Sequence, residues 1–185
     1  MEVTEIVQML LHGNRLKRTA RTGWAQRGVP QGENVAAHSY GVAFTALVLA
    51  QLIDEPSDLG KVLSLAILHD LPEGLTGDIP APAWRYVQGD VKPAMERAAL
   101  REIVGGAPFE ATFVEWWREL NDNESVEARL VHDADKIDLF LQALVYEEQT
   151  GNRHLGDFWE RYYRFHFEVA ESLYEHLRER QMKLG

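Results

Sequence analysis

The sequence contains no cysteine. That absence excludes a disulfide framework, a thiolate zinc site and a thiol nucleophile, so any metal ion must be held by His, Asp or Glu. A basic excess is missing too: 19 Lys and Arg face 29 Asp and Glu, a formal charge of −10, and the charges are mixed along the chain. Such a surface disfavours non-specific binding to nucleic acid or to anionic lipid. Long apolar runs are also lacking. The most apolar stretches, 42–53 and 62–68, are interrupted by Thr, Gln or Ser and fall short of the ~20 residues that cross a bilayer. The amino-terminal stretch has no basic leader followed by an apolar run and a small-residue cleavage site, so the expectation is a soluble, cytoplasmic protein.

What is present suffices for one core. The 185 residues are 45% hydrophobic, which predicts a single compact domain over 1–185. Apolar residues recur at helical spacing and no period-two run is bounded by hairpin turns, which predicts an all-α helical bundle. Helices are expected over 3–17, 34–54, 57–70, 93–104, 109–120, 124–149 and 157–182. Asp54-Glu55-Pro56-Ser57 reads as a stop followed by an N-cap, while Gly105-Gly106-Ala107-Pro108 and Thr150-Gly151-Asn152 read as breaks. Two stretches resist the helical pattern: 18–32, rich in Arg, Gly and Thr, and 71–82, with three prolines and two glycines. Loops of this kind carry sites in helical bundles.

The second expected helix holds His38 in register with Val35, Val42, Leu49 and Ile53, so its imidazole points inward. His69 follows Val62, Leu65 and Ala66 at seven, four and three residues and points inward as well. Asp70 stands in the same relation to Leu63, Ala66 and Ile67. A buried unpaired carboxylate costs several kcal/mol, and a cation is one of the few partners that makes such a position tolerable. Along 124–149 the stripe Leu130, Ala134, Ile137, Leu141, Leu144 has Asp135 at its border. Spacing alone leaves two readings open, a metal site and a set of hydrogen-bonded core polar residues.

His38, then His69-Asp70, then Asp135 form the H…HD…D pattern of the HD-domain metal-dependent phosphohydrolases. Within that superfamily the sequence resembles the 5′-deoxynucleotidases of the bacterial and HD-domain-containing-2 types. The matching stretches are Leu16-Lys17-Arg18, Arg21-Thr22-Gly23-Trp24, Glu33-Asn34-Val35-Ala36-Ala37-His38-Ser39, and His69-Asp70-Leu71-Pro72-Glu73-Gly74-Leu75-Thr76-Gly77-Asp78-Ile79. A further match runs from Glu127 through Asp135-Lys136 to Glu147.

The resemblance implies one divalent metal ion held by His38, His69, Asp70 and Asp135. Such a sulfur-free set suits Mn, Co, Ni, Fe or Zn, with Mg also possible, and the ion would acidify water and neutralise phosphoryl charge. Glu73, four residues after His69 and three after Asp70, overhangs the ion if the helical turn continues, and can orient water or protonate the leaving oxygen. Asp78 is the second candidate catalytic residue. Arg18, Arg21 and Arg27 are candidate phosphate partners, and Trp24 and Thr76 complete the expected substrate contacts. The bacterial nucleotidases that it resembles place an arginine immediately before the tryptophan, where this chain has Gly23. A homodimer is implied by resemblance alone.

Three other features have simpler readings. His132-Asp133 repeats the HD dipeptide, but position 132 is off the apolar stripe. Asp133, Asp135 and Asp138 lack the glycine and terminal glutamate of a calcium loop. Trp116-Trp117 reads as a bridge between core and a subunit contact. The expected activity is hydrolysis of deoxyribonucleoside 5′-monophosphates to deoxynucleoside and phosphate. The alternatives are an HD phosphohydrolase for nucleoside di- or triphosphates or cyclic dinucleotides, whose substrates need more cationic residues than the sequence locates, and a non-catalytic metal-binding regulatory protein.

Overall fold

The computed structural model describes residues 1–160 and 163–184. Its α-helices are α1 (Val3–Asn14), α2 (Thr22–Ala25), α3 (Val35–Leu49), α4 (Leu59–Leu68), α5 (Glu73–Thr76), α6 (Val91–Val104), α7 (Glu110–Asp122), α8 (Val126–Thr150) and α9 (Glu168–Met182). Short 3-10 turns cover Arg15–Arg18, Ala81–Tyr86 and Arg153–Phe158. Among the described residues the one β-type pairing is an isolated bridge between Ala20 and Asn34. The all-α expectation is met.

Helix α8, about 37 Å long at 1.5 Å per residue, is the axis on which α3, α4 and α9 pack. It is buried on more than one side: Leu130, Val131, Ala134, Ile137, Phe140, Ala143 and Leu144 all lie in the core. Leu141, expected in the stripe, is instead 43% exposed, because the buried surface of a central helix follows its neighbours and not one face. A second, smaller cluster joins Leu100, Ile103 and Val104 of α6 to Trp117 of α7.

Side-chain caps fix the starts of the helices that carry the site. Asn34 accepts from Ala37 N–H at 2.9 Å before α3, and Ser125 accepts from Ala128 N–H at 3.1 Å before α8. The cap of α4 is Asp58, which accepts from Gly60 and Lys61, and not Ser57. Gly151, at φ 64°, closes α8 in the left-handed region that glycine adopts freely.

The single helix expected over 157–182 is corrected: 157 and 158 belong to a 3-10 turn, and α9 begins at Glu168. Positions 161 and 162 of that stretch lie outside the described residues. The late start has a local cause. The fully buried Asp133 carboxylate accepts from His166 and Phe167 N–H at 2.9 and 3.0 Å, which anchors the amino end of α9 there. The second HD dipeptide is thus structural, with His132 half-buried and bonded through Nε2 to the Leu120 carbonyl at 2.7 Å.

Candidate metal centre

Helix α3 buries Val35, His38, Val42, Ala46 and Leu49, which keeps the register expected from the sequence as far as Leu49, where the helix ends before Ile53, and it delivers a fully buried imidazole to the core. His69 caps the carboxyl end of α4. Asp70 arrives by a different route from the one the spacing suggested. Ile67 is 60% exposed, so no buried face through Leu63 and Ile67 carries Asp70 inward; the chain turns after Leu68 and brings it in. Asp135 comes from α8.

These side chains converge. One donor atom each of His38, His69 and Asp135 lies within 4.8 Å of the others. His38 Nε2 stands 3.1 Å from Asp135 Oδ1 and 3.7 Å from Asp70 Oδ2, and His69 Nε2 stands 3.1 Å from Asp70 Oδ2. Both Nε2 atoms are nevertheless buried without a hydrogen bond among the described residues. Two donors about 2.1 Å from one ion and at right angles to each other are about 3.0 Å apart. The spacing therefore fits ligands arranged around a cation. The opposite ring nitrogens are both engaged: His38 Nδ1 meets Asp138 Oδ2 at 2.7 Å and His69 Nδ1 meets the Ala66 carbonyl at 2.7 Å. In a neutral ring with Nδ1 as the donor, Nε2 keeps the lone pair a metal ligand needs.

The electrostatics follow from the crowding of acids. For His38, burial and the Arg21 charge favour loss of the proton, but Asp135 and Asp138 outweigh them and raise its pKa to about 9. Burial opposes charge on Asp70 and Asp135 as well. The His69, Arg21 and His38 charges hold Asp70 well below the usual carboxylate range, and Lys136 with the two histidines does so for Asp135. Each of these two carboxylates has its own cation: Arg21 lies 3.3 Å from Asp70 Oδ2 and Lys136 lies 2.7 Å from Asp135 Oδ2.

A cavity of about 390 Å³ opens beside the cluster, within the size range of small-molecule sites. Asp70, Asp135, Glu73 and Asp78 line it, with Arg21, Arg27, Lys92 and Lys136 and the rings of Trp24, Trp84 and Phe158. Glu73 opens α5, where the helical course resumes after the turn. Its Oε2 is buried with no hydrogen-bond partner among the described residues, and burial, then the Asp70 and Asp78 charges, push its pKa up to about 9. Gly77, at φ 72°, turns the chain so that Asp78 Oδ2 accepts from Thr22 N–H at 2.7 Å and from the Thr22 hydroxyl at 3.2 Å. Asp78 thereby ties the 71–82 stretch to the 18–32 stretch.

Trp24 is 1% exposed, packs on Tyr146 and Phe158 at ring distances of 5.2 and 4.9 Å, and donates Nε1–H to Glu33 at 3.2 Å. Arg27 bonds the Gly23 carbonyl and lies over the Phe158 ring at 4.0 Å. Two expected contacts stay outside the cavity: Arg18 is exposed, and the Thr76 hydroxyl donates to the carbonyls of Pro72 and Gly77. Lys92, Lys136 and Asp138 were not among the expected site residues. The signal for Asp138 was its place one helical turn past Asp135 on the same border of α8.

The family described as HD domain matches residues 13–177, most of the chain and all four expected ligands. The chain belongs to the HD-domain family. Among HD-domain relatives it is 34% identical over 158 residues to the 5′-deoxynucleotidase HDDC2 of Bos taurus, covering 84% of this chain and 75% of that one. With the HDDC2 of Dictyostelium discoideum it shares 35% identity, covering 73% and 74% of the two chains. In fold it is similar to the PH0347 protein of Pyrococcus horikoshii OT3, with a TM-score of 0.78 and 37% identity across 97% of this chain and 99% of that one.

Proposed function

We propose that this HD-domain chain is a metal-dependent phosphomonoesterase that hydrolyses deoxyribonucleoside 5′-monophosphates to deoxynucleoside and phosphate. The observation that carries the proposal is the pair of buried, unbonded Nε2 atoms of His38 and His69 facing Asp70 and Asp135 beside a cavity that also holds Glu73. The naming of the HDDC2 relatives as 5′-deoxynucleotidases supports it. The whole of 1–185 acts as one domain.

His38, His69, Asp70 and Asp135 hold one divalent cation, and their nitrogen and oxygen donors suit Mn, Co, Ni, Fe or Zn, with Mg possible. When bound, the cation supplies Lewis-acid neutralisation of phosphoryl charge and makes water more acidic. Arg21, charged and inside the cavity, holds the phosphate on its open side. Glu73, whose side chain lines the cavity beside Asp70, is the group that would protonate the leaving 5′-oxygen. Asp78 fixes the backbone of Thr22 and with it the reach of Arg21 and Trp24. Trp24 forms the wall against which a 2′-hydroxyl would project.

Nucleoside di- and triphosphates are the second substrate class, favoured by the cationic Lys92 and Lys136 in the cavity. Lys136 already pairs with Asp135 and Lys92 with Glu96, which leaves less charge for further phosphates. A panel of deoxy- and ribonucleoside mono-, di- and triphosphates and cyclic dinucleotides, assayed for phosphate release with Mn²⁺, Co²⁺ or Mg²⁺ after chelation, decides. Preference for the deoxynucleoside monophosphates supports the proposal, and turnover confined to polyphosphates refutes it.

The chain also forms a homodimer in this proposal. Support comes from an exposed apolar row on α3, where Tyr40 and Phe44 are 74% and 58% exposed and stack at 6.5 Å, continued by Val48. Among the described residues no helix is long and apolar enough to cross a membrane. A cytoplasmic location fits a substrate drawn from intracellular nucleotides.

A further inference from the structure

We infer that Asp138 is a positioning residue for the metal centre, acting through His38, and that Gly41 exists as glycine to admit it. The inference rests on the ligand set proposed above. Asp138 is buried, yet no Lys or Arg is paired with it among the described ion pairs; its one close polar partner there is the Nδ1 of His38, at 2.7 Å. That distance is the length of a charge-assisted hydrogen bond. An acceptor there holds the proton on Nδ1, fixes the ring plane and makes Nε2 a more basic donor, and loss of such a partner typically costs 10–100-fold in metal affinity.

The second observation is on α3. A Cβ built on Gly41 would overlap Asp138 Oδ1 and stand 2.7 Å from Asp138 Cγ. Gly41 lies within α3, where glycine is disfavoured by about 1 kcal/mol relative to alanine, and its backbone is ordinary helix with no positive φ to require it. What the glycine provides is the space in which the Asp138 carboxylate reaches past α3 to His38. Glu33, His38 and Asp138 together could be taken for a cation site of their own, since their donors lie within 4.8 Å of one another. The direct Nδ1 to Oδ2 hydrogen-bond contact argues against an ion between them.

The test is Co²⁺ binding to chelated protein, measured by competition with a chromophoric chelator, for wild type, Asp138→Asn, Asp138→Ala, Gly41→Ala and the double variant Asp138→Ala/Gly41→Ala. Helical circular dichroism is recorded for each. The expected result is a 10–100-fold loss of affinity in both Asp138 variants and a loss in Gly41→Ala, with no further loss when Gly41→Ala is added to Asp138→Ala. The visible Co²⁺ spectrum should shift in Asp138→Asn while the helical signal is kept, a change that a packing role alone would not produce. Affinities within about twofold of wild type in both Asp138 variants would overturn the inference, as would equal losses for Gly41→Ala with and without Asp138. Loss of a second equivalent of Co²⁺ in Asp138→Ala, with the first bound normally, would overturn it in favour of a separate cation site. His69→Ala separates this result from the ligand assignment: undiminished Co²⁺ binding by that variant refutes the four-ligand set itself.

Discussion

Glu73→Gln gives the most informative perturbation because it removes the titratable proton while keeping the size and reach of the side chain. In the metal-free protein, burial and then the Asp70 and Asp78 charges lift the Glu73 carboxyl from its ordinary 4.5 to about 9. A group whose folded value lies above its unfolded value favours folding fully below the unfolded value, and that contribution is lost as pH climbs through the folded one. For Glu73 the window runs from 4.5 to about 9. At 1.36 kcal/mol per tenfold change in proton affinity the ceiling is about 6 kcal/mol, and solvent reaching this half-buried side chain reduces it to the order of 2–3 kcal/mol. Glutamine, neutral throughout, escapes the loss. At ~2–4 °C per kcal/mol for a chain of this length, the melting temperature of the variant should gain roughly 5–10 °C on wild type between about pH 5 and about pH 9. Thermal melts of chelated protein measure it, and parallel pH dependence in the two proteins would refute the burial of an unpartnered acid at Glu73. With metal restored, the same variant should lose ~10²–10⁴ in kcat and keep its metal. Near-normal turnover would transfer the proton role to Asp78.

His69→Ala and Asp70→Ala should each lose bound metal while keeping an α-helical spectrum, since the core of α3, α4 and α8 is independent of the ion; stoichiometric metal in both by elemental analysis would contradict the ligand set. Because His38 is protonated up to about pH 9 in the metal-free protein, metal uptake at neutral pH should expel its proton. Affinity should then rise about tenfold per pH step until that value and level off above it. Calorimetry in buffers of different ionisation enthalpy counts the proton, and pH-independent affinity would contradict it. Trp24→Ala should destabilise by ~3–5 kcal/mol. It should also narrow a dAMP over AMP preference of roughly 10–100-fold, mainly by improving AMP. An unchanged ratio of kcat/KM values with both rates lowered would leave Trp24 as a packing residue.

The parts legible in the sequence were those governed by a single periodic face. Val35, His38, Val42 and Leu49 share one buried side of α3, so the inward histidine could be read directly. Asp70 was found, but its supposed partner Ile67 is exposed; the turn after Leu68 brings the carboxylate in, and spacing cannot report a turn. Helix α8 is enclosed by α3, α4 and α9, so a one-stripe pattern missed the buried Asp133 and Asp138 and wrongly buried Leu141. The same burial explains the start of α9: Asp133 claims the N–H groups of His166 and Phe167 from far away in sequence, a contact no local pattern encodes. Lys136 and Lys92 were passed over because a solvated lysine and a cavity lysine look alike until the walls of the cavity are known.

The most direct measurement is phosphate release from dAMP as Co²⁺ is titrated into chelated protein. Activity should be absent at the start, rise linearly, and reach its plateau at about one equivalent of metal per chain, as a single four-ligand centre requires. Full activity in the chelated protein, or a plateau that needs two equivalents, would contradict the claim that His38, His69, Asp70 and Asp135 form one metal centre that performs the hydrolysis.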